Sequence, residues 1–111
     1  MELESRLLAS EYNGHRLLTM EARGEEAGLA GMVMKLFSTQ LGYDITKTAM
    51  DVLADRGTLG RGESTAPDMG MFSYAYMWSL GILIAGGTAN IQRNIIAERG
   101  LGMPRDPQTK R

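Results

Sequence analysis

Apolar residues recur at spacings of three and four along this sequence, and the every-second-residue alternation typical of strands is missing. That spacing places apolar side chains on one face of an α-helix, where a neighbouring element can cover them. The clearest helix carries one apolar stripe, with Gly57 predicted as its C-cap. The stripe contains Ala30, Val33, Met34, Phe37, Leu41, Ile45, Ala49, Val52 and Leu53. The pattern predicts an all-α protein.

Three further helices are predicted from the same spacing. The residues from Thr58 to Gly70 are rich in Gly, Ser, Thr and Pro, so they predict a loop between the second and third helices. The other segments are Leu3–Arg23, ended by Gly24; Met71–Ile84, apolar on most sides; and a last helix that begins with Thr88 as N-cap and continues to Arg99.

Short connections favour an antiparallel four-helix bundle as the arrangement of these helices. A chain of 111 residues can build one modest core, so residues 1–104 are expected to form one domain. The remaining residues, 105–111, predict a polar, disordered tail. Because the first helix begins without an N-cap or a leading loop, we expect that a further segment of polypeptide precedes it.

The composition excludes several classes of function. A formal net charge of −1 gives no electrostatic footprint for nucleic acid or for an anionic membrane. The longest apolar stretch, Met77 to Gly87, is shorter than the ~18 residues of a membrane span. Cysteine is absent, which excludes disulfides, thiolate metal sites and thiol nucleophiles, and the single histidine, His15, is not expected to bind metal. The default expectation is a cytoplasmic protein with no metal.

The sharpest local feature is the sequence from Ala85 to Arg93, AGGTANIQR. Two glycines allow another backbone or a ligand to approach closely, and the helix that follows directs its unpaired N–H groups toward the same place. The segment has the form of an anion or cofactor site. For these residues by themselves, helix-capping frequencies favour a flexible turn with a threonine N-cap, and the spacing alone does not decide between the two.

A longer pattern around this feature resembles the closing signature of acyl-CoA dehydrogenases, in which a Gly-Thr turn leads into a helix beginning Ile-Gln-Arg. The resemblance is carried by GGTANIQRNIIAERGLGMP at Gly86–Pro104, by Met34–Ser38 and by Ala49–Gly57, and it covers residues 1–104. It implies the C-terminal helical domain of such an enzyme without its first helix. The N-terminal helical domain and the middle β-domain of the family have no counterpart in this sequence.

The resemblance also implies particular site residues. In the family, FAD takes a hydride from the β-carbon of an acyl-CoA thioester while a glutamate removes the α-proton. Thr88 and Asn90 are at positions that contact the flavin cofactor, and Ala85 and Gly86 are at positions that border the substrate thioester. Many members place the glutamate where this sequence has Gly86. We therefore predict no catalytic residue in this chain.

A second family motif, Gln-x-x-Gly-Gly-x-Gly, is implied to reach the FAD of a neighbouring subunit. Its fixed positions are occupied here by Asp51, Ala54, Asp55 and Gly57, so only the last glycine is kept. Gly57 and Asp51 are the predicted cofactor contacts of this turn. Carboxylates near a pyrophosphate would repel it by ~1 kcal/mol each in a solvated setting, which Arg56 would partly offset.

The function implied by the resemblance is the C-terminal part of a FAD-dependent acyl-CoA dehydrogenase, inactive by itself. It would supply part of the flavin pocket and a subunit interface to a homo-oligomer or to a hetero-oligomer of dehydrogenase subunits, with acyl-CoA as substrate and an electron-transferring flavoprotein as a possible acceptor. The alternative is a non-catalytic helical partner or oligomerisation module of a dehydrogenase complex. As part of a dehydrogenase, the chain is expected to expose an apolar patch. The aromatic residues Tyr74, Tyr76 and Trp78 suit a core or a subunit interface.

Overall fold

The computed structural model describes residues 1–105, and every regular element in this range is helical. The all-α class predicted from the apolar spacing is therefore confirmed. The helices are α1 (Glu2–Ala22), α2 (Gly28–Leu53), α3 (Met71–Ile84) and α4 (Ala89–Ile95). Short 3-10 turns cover Ala54–Thr58 and Pro67–Gly70, and a π-helical turn, Ile96–Gly100, continues α4.

Helix α2 is the central element, because α1, α3 and α4 all pack against it. Two hydrogen bonds show that α2 and α3 are antiparallel. Thr46 Oγ1 lies 3.0 Å from Ser79 Oγ, whereas Lys35, earlier on α2, reaches Gly87, beyond the end of α3. As residue numbers fall along α2, those of the facing segment rise. The antiparallel arrangement follows the prediction from short connections.

The bundle is open on several sides. Among the described residues only one apolar side chain, that of Leu41, is buried, with 3% of its surface exposed. The radius of gyration is 17.8 Å, compared with about 13 Å for a compact domain of this length. Helix α1 takes its contacts from α2, so within residues 1–105 no other element packs on its opposite face. The apolar stripes are thus covered on one side only.

The end of α2 differs from the prediction that Gly57 is its C-cap. The helix ends at Leu53, and Ala54 has a positive φ, with φ 48° and ψ −131°. The following 3-10 turn folds Gly57 back against the helix, where it is buried. A Cβ at Gly57 would lie 3.1 Å from Leu53 Cβ and 3.3 Å from Met50 Sδ. Glycine permits this close approach and does not cap the helix.

Two other predicted helix ends are confirmed. Gly24 follows α1 with φ of 71°, and its N–H donates to the carbonyl oxygen of Glu21 at 2.9 Å. Thr88 caps α4, since its Oγ1 accepts a hydrogen bond from the N–H of Ile91 at 3.4 Å. The apolar helix Met71–Ile84 also has the predicted bounds. At these positions, capping chemistry and apolar spacing were sufficient to predict where the helices begin and end.

The loop between α2 and α3 is held at its end by Gly70. This residue has φ of 77°, and a Cβ there would lie 2.5 Å from both Arg61 N and Gly60 C, so no other residue fits without displacing the backbone. Arg61 in turn stacks on the Tyr74 ring at 3.9 Å, and its Nη2 lies 3.1 Å from Met71 Sδ. The loop is therefore anchored on α3, and its last residues form a 3-10 turn that the sequence did not predict.

The segment from Pro67 to Gly100 is long and apolar enough to cross a membrane by length and composition. In the structure it is not one continuous helix, because a turn at residues 85–88 separates α3 from α4. Helix α3 has 14 residues and is about 21 Å long, whereas the hydrocarbon core of a bilayer is about 30 Å thick. The structure thus divides the apolar segment between α3, α4 and the short helical turns at its two ends.

Helical structure ends four residues before residue 104, the predicted end of the domain, and the domain bounds stay a prediction. The π-helical turn ends at Gly100, and residues 101–105 have no regular structure. Arg105, the first residue of the predicted tail, has its Nε 3.0 Å from Glu98 Oε2. The rest of that tail, residues 106–111, lies outside the described part of the chain.

Candidate cofactor-binding turn

The turn between α3 and α4 depends on its two glycines. Helix α3 ends at Ile84, Ala85 is extended with ψ of 138°, and Gly86 and Gly87 follow with φ of 65° and 101°. A Cβ at Gly87 would lie 3.0 Å from Gln92 Nε2. Positive φ at two successive positions, with a side chain already in contact, restricts this sequence to glycine. The turn then enters α4 at Thr88.

Three successive carbonyl groups of the turn accept hydrogen bonds from the surrounding protein. The Gly86 oxygen accepts from Gln92 Nε2 at 2.7 Å, and the Gly87 oxygen accepts from Lys35 Nζ at 2.6 Å. The Thr88 oxygen accepts from the backbone N–H of Gln92 at 2.9 Å. Gln92 is buried, with 9% of its surface exposed, so its side chain is fixed. The carbonyl side of the turn is thereby directed into the protein.

The backbone N–H groups that follow Ala85 in the same turn have no acceptor within residues 1–105. Within residues 1–105, no acceptor pairs with the backbone N–H groups of residues 86–90, and the first one that is paired belongs to Ile91. A row of unpaired N–H donors suits an electron-rich ligand atom, such as a carbonyl oxygen or an anionic oxygen. The turn therefore has the donor chemistry of a cofactor or thioester contact.

The structure brings together the predicted contacts Ala85, Gly86, Thr88 and Asn90. Residues 85, 86, 88 and 90 are exposed, so a ligand outside this chain can reach them. The Asn90 side chain accepts from Arg93 Nη1 at 3.3 Å through its Oδ1, which leaves its amide N–H groups available. These residues form the candidate site.

The predicted contacts Asp51 and Gly57 lie far from this group. Lys35 is the residue of α2 that contacts the turn. The helical rise from Lys35 to Asp51 is about 24 Å. Asp51 Oδ2 lies 2.7 Å from Lys47 Nζ, and this hydrogen bond raises the pKa of Lys47 above its usual value. The carboxylate of Asp51 is thus partly neutralised. Gly57 is buried under Met50 and presents only its backbone.

The position of the family's glutamate carries no ionisable group. A Cβ built on Gly86 would meet only Lys35 Cε, at 3.9 Å, so the space beside it is open. Between Met1 and Arg105 no group of three or more His, Asp or Glu side chains could hold a metal ion. His15 lies on α1 with its side chain 67% exposed, 3.8 Å from Glu11.

Two residues of the site were not identified from the sequence, although both lie within motifs that resemble the family. Lys35 is part of Met34–Ser38, and Gln92 is the glutamine of Ile-Gln-Arg. Neither residue type at its position indicates a hydrogen bond to a turn. For Lys35 the acceptor lies 52 residues later in the sequence. For Gln92 the sequence did offer a signal, since it is a glutamine on the apolar side of a short helix. A buried amide needs hydrogen-bond partners, and the preceding turn is close enough to provide one.

The open helical fold and the glycine turn define the C-terminal helical domain of an acyl-CoA dehydrogenase. A protein-family model described as "Acyl-CoA dehydrogenase, C-terminal domain" matches residues 1–101. This chain therefore belongs to the acyl-CoA dehydrogenase family, a family of oxidoreductases, and the resemblance seen in the sequence is confirmed.

One curated relative agrees with this family, and one solved structure shows the same fold. The chain is 35% identical over 94 residues to acyl-CoA dehydrogenase IpdE1 of Mycobacterium tuberculosis (strain ATCC 25618 / H37Rv), which covers 83% of this chain and 23% of that protein. A solved chain of the Tcur3481-Tcur3483 steroid ACAD matches 95% of this chain and 27% of its own length, with a TM-score of 0.84 and 21% identity. The second match shows the shared fold. The chain spans about a quarter of the length of these relatives.

Proposed function

We propose that this chain supplies part of the FAD pocket of an acyl-CoA dehydrogenase assembly that carries out α,β-dehydrogenation of acyl-CoA thioesters. The observation that carries the proposal is the turn at residues 85–88, with its carbonyl groups bound inward and its N–H groups unpaired. Membership in the family supports FAD as the cofactor. Thr88 and Asn90 would contact the flavin, and Ala85 and Gly86 would border the thioester.

Bound FAD would supply the hydride acceptor of this reaction. The residues of this chain would position it, since the turn offers N–H donors and the exposed amide of Asn90. Removal of the α-proton needs a base, and Gly86 has none. The base therefore has to come from other protein in the assembly. Substrates with straight, branched or steroid acyl groups all fit this proposal.

The distance between the two groups of predicted contacts supports an assembly with more than one cofactor position. Lys35, which contacts the turn at residues 85–88, lies about 24 Å along α2 from Asp51 of the second motif. We propose that the turn contacts one FAD and that the second motif approaches the FAD of a neighbouring subunit. Asp51 is held by Lys47, so its charge would repel a pyrophosphate less than an unpaired carboxylate does.

A subunit interface is proposed on the outer face of α3. The rings of Tyr74 and Trp78 stack there with centroids 6.4 Å apart, and Trp78 is 62% exposed. Met77 and Ile84 are exposed to a similar extent. Large apolar and aromatic side chains in one area are typical of a surface that another protein covers. The covering protein would be a dehydrogenase subunit, either a second copy or a different chain.

Purification of the affinity-tagged chain from its source cells tests the proposal. We expect the purified assembly to show the visible absorption of bound flavin and to reduce an artificial electron acceptor when an acyl-CoA mixture is added. An assembly that contains this chain and dehydrogenase subunits but neither binds flavin nor responds to acyl-CoA would contradict the proposal.

A second candidate function is a non-catalytic helical partner of a dehydrogenase. The glycine at position 86 and the loss of three fixed residues in the Asp51–Gly57 motif favour it. The same purification separates the two candidates. Flavin that stays with the dehydrogenase subunits when this chain is removed, with full activity, would favour the non-catalytic partner.

A further inference from the structure

Lys35 contacts the candidate site from outside the turn. Its Nζ donates to the Gly87 carbonyl oxygen at 2.6 Å from the middle of α2, and the side chain is half-buried. Within the described residues Lys35 has no carboxylate partner, because the ion pairs there involve other basic residues. A half-buried ammonium without a carboxylate is costly unless a strong acceptor is near it, and here that acceptor is a backbone carbonyl.

The bond determines which side of the turn faces outward. Glycines with φ of 65° and 101° can rotate their peptide groups at low cost, so the sequence alone does not fix the orientation. Gln92 holds the Gly86 carbonyl oxygen at 2.7 Å, and Lys35 holds the next one. A peptide rotation that released the Gly87 oxygen would point a carbonyl, in place of an N–H, toward a ligand.

We propose that Lys35 is a positioning residue for FAD binding: through Gly87 it keeps the N–H groups of the turn directed at the cofactor. This inference rests on the proposed function, because it assigns a role in the same site. Lys35 contacts the turn and not the cofactor. The positive charge strengthens the bond, and arginine at this position can donate in the same way.

The test compares FAD binding by assemblies that contain wild-type chain, Lys35→Met, Lys35→Gln or Lys35→Arg. Each is purified from source cells, stripped of flavin, and titrated with FAD while the visible absorption spectrum is recorded. Arg16→Met is the matched control, since it also replaces a cation by methionine, on an exposed part of α1. Circular dichroism and elution volume report whether each variant keeps the fold and the assembly.

Lys35→Met is expected to raise the Kd for FAD roughly tenfold and to alter the flavin spectrum, because one charge-assisted hydrogen bond to the turn is lost. Lys35→Arg is expected to have the Kd for FAD and the flavin spectrum of the wild-type chain. Arg16→Met is expected to leave the same two quantities unchanged. Lys35→Gln retains a neutral donor, so it gives a smaller rise in the Kd. It also keeps the test valid if the methionine variant does not fold.

Three results would overturn the inference, and they differ in what they mean for the proposed function. If wild-type assembly binds FAD and the folded Lys35 variants bind it with the same Kd and spectrum, the positioning role is wrong and the proposed function stands. If wild-type assembly does not bind FAD, the proposed function fails and the inference fails with it. A Kd raised equally in Arg16→Met would also count against Lys35, since the effect would then not be specific to the turn.

Discussion

Arg6 and Asp44 join α1 to α2 through an ion pair in which Nη1 and Oδ2 lie 2.8 Å apart. The side chains of both are 28% exposed. The guanidinium of Arg6 also lies over the Phe37 ring, 5.7 Å from its centroid. Since α1 has its contacts with α2, this pair is a specific polar connection between α1 and the rest of the fold.

Acid is expected to weaken the attachment of α1. The pKa of Asp44 is lowered, first by the hydrogen bond from Gln40 and then by the hydrogen bond and charge of Arg6, against an opposing effect of burial. A lowered pKa in the folded state means that Asp44 stabilises the fold above its unfolded pKa of about 4 and that this stabilisation is lost as the pH falls through the folded value.

A double-mutant cycle with Arg6→Met and Asp44→Asn measures this effect by urea unfolding. We expect a coupling free energy of about 0.5 to 1 kcal/mol at pH 7, which disappears as the pH falls through the lowered pKa of Asp44 and the carboxylate is protonated. Coupling that is as strong in acid as at neutral pH would show that the ionised carboxylate is not its source.

Ala54→Gly is expected to stabilise the protein. Ala54 has φ of 48° and ψ of −131°, a region in which a residue with a Cβ is strained, and the family motif has glycine at this position. Relief of the strain should exceed the entropy that glycine adds to the unfolded state, for a net gain of about 1 kcal/mol in the free energy of unfolding.

Ala49→Gly, inside α2, is the control and should lower the free energy of unfolding by about 1 kcal/mol. Urea unfolding of both variants at the same protein concentration gives the comparison. Equal losses in the two variants would mean that the backbone at Ala54 is not strained.

Gly70→Ala is expected to destabilise the loop that precedes α3. The added Cβ would lie 2.5 Å from Arg61 N and Gly60 C, and φ is 77°, so the backbone must shift. We expect a loss of about 2 kcal/mol or more and faster proteolysis within residues 58–70. Gly60→Ala is the matched control, because a Cβ there has open space around it, and its loss should stay below about 0.5 kcal/mol. Similar behaviour of the two variants would contradict the close approach at Gly70.

Trp78→Glu is expected to weaken assembly. The Trp78 ring is stacked on Tyr74 and is 62% exposed, so a covering subunit would bury it, and a carboxylate there would lose a large apolar contact and face desolvation. Sedimentation should show a dissociation constant raised by at least about 100-fold. Tyr12→Glu, at a 71% exposed aromatic residue on α1, is the control. An unchanged dissociation constant for Trp78→Glu would place the interface elsewhere.

The parts of the fold that the sequence predicted depend on local chemistry. The bounds of Met71–Ile84 follow from apolar spacing, and the role of Thr88 follows from its hydroxyl at a helix start. The end of α2 could not be predicted in this way, because an alanine gives no signal for positive φ and the glycine three residues later gave a misleading one. Lys35 and Gly87 meet only after α2 and α3 have packed, so their bond is a tertiary property without a local pattern.

The shortage of buried apolar side chains in residues 1–105, where Leu41 is the one example, links folding to assembly. A chain with so little interior of its own would gain folding free energy when a partner covers α3, so its apparent stability would rise with partner concentration. In a cell, copies made in excess of their partner would expose apolar surface to chaperones and proteases and would be removed. The amount of this protein would then be set by how fast its partner is made.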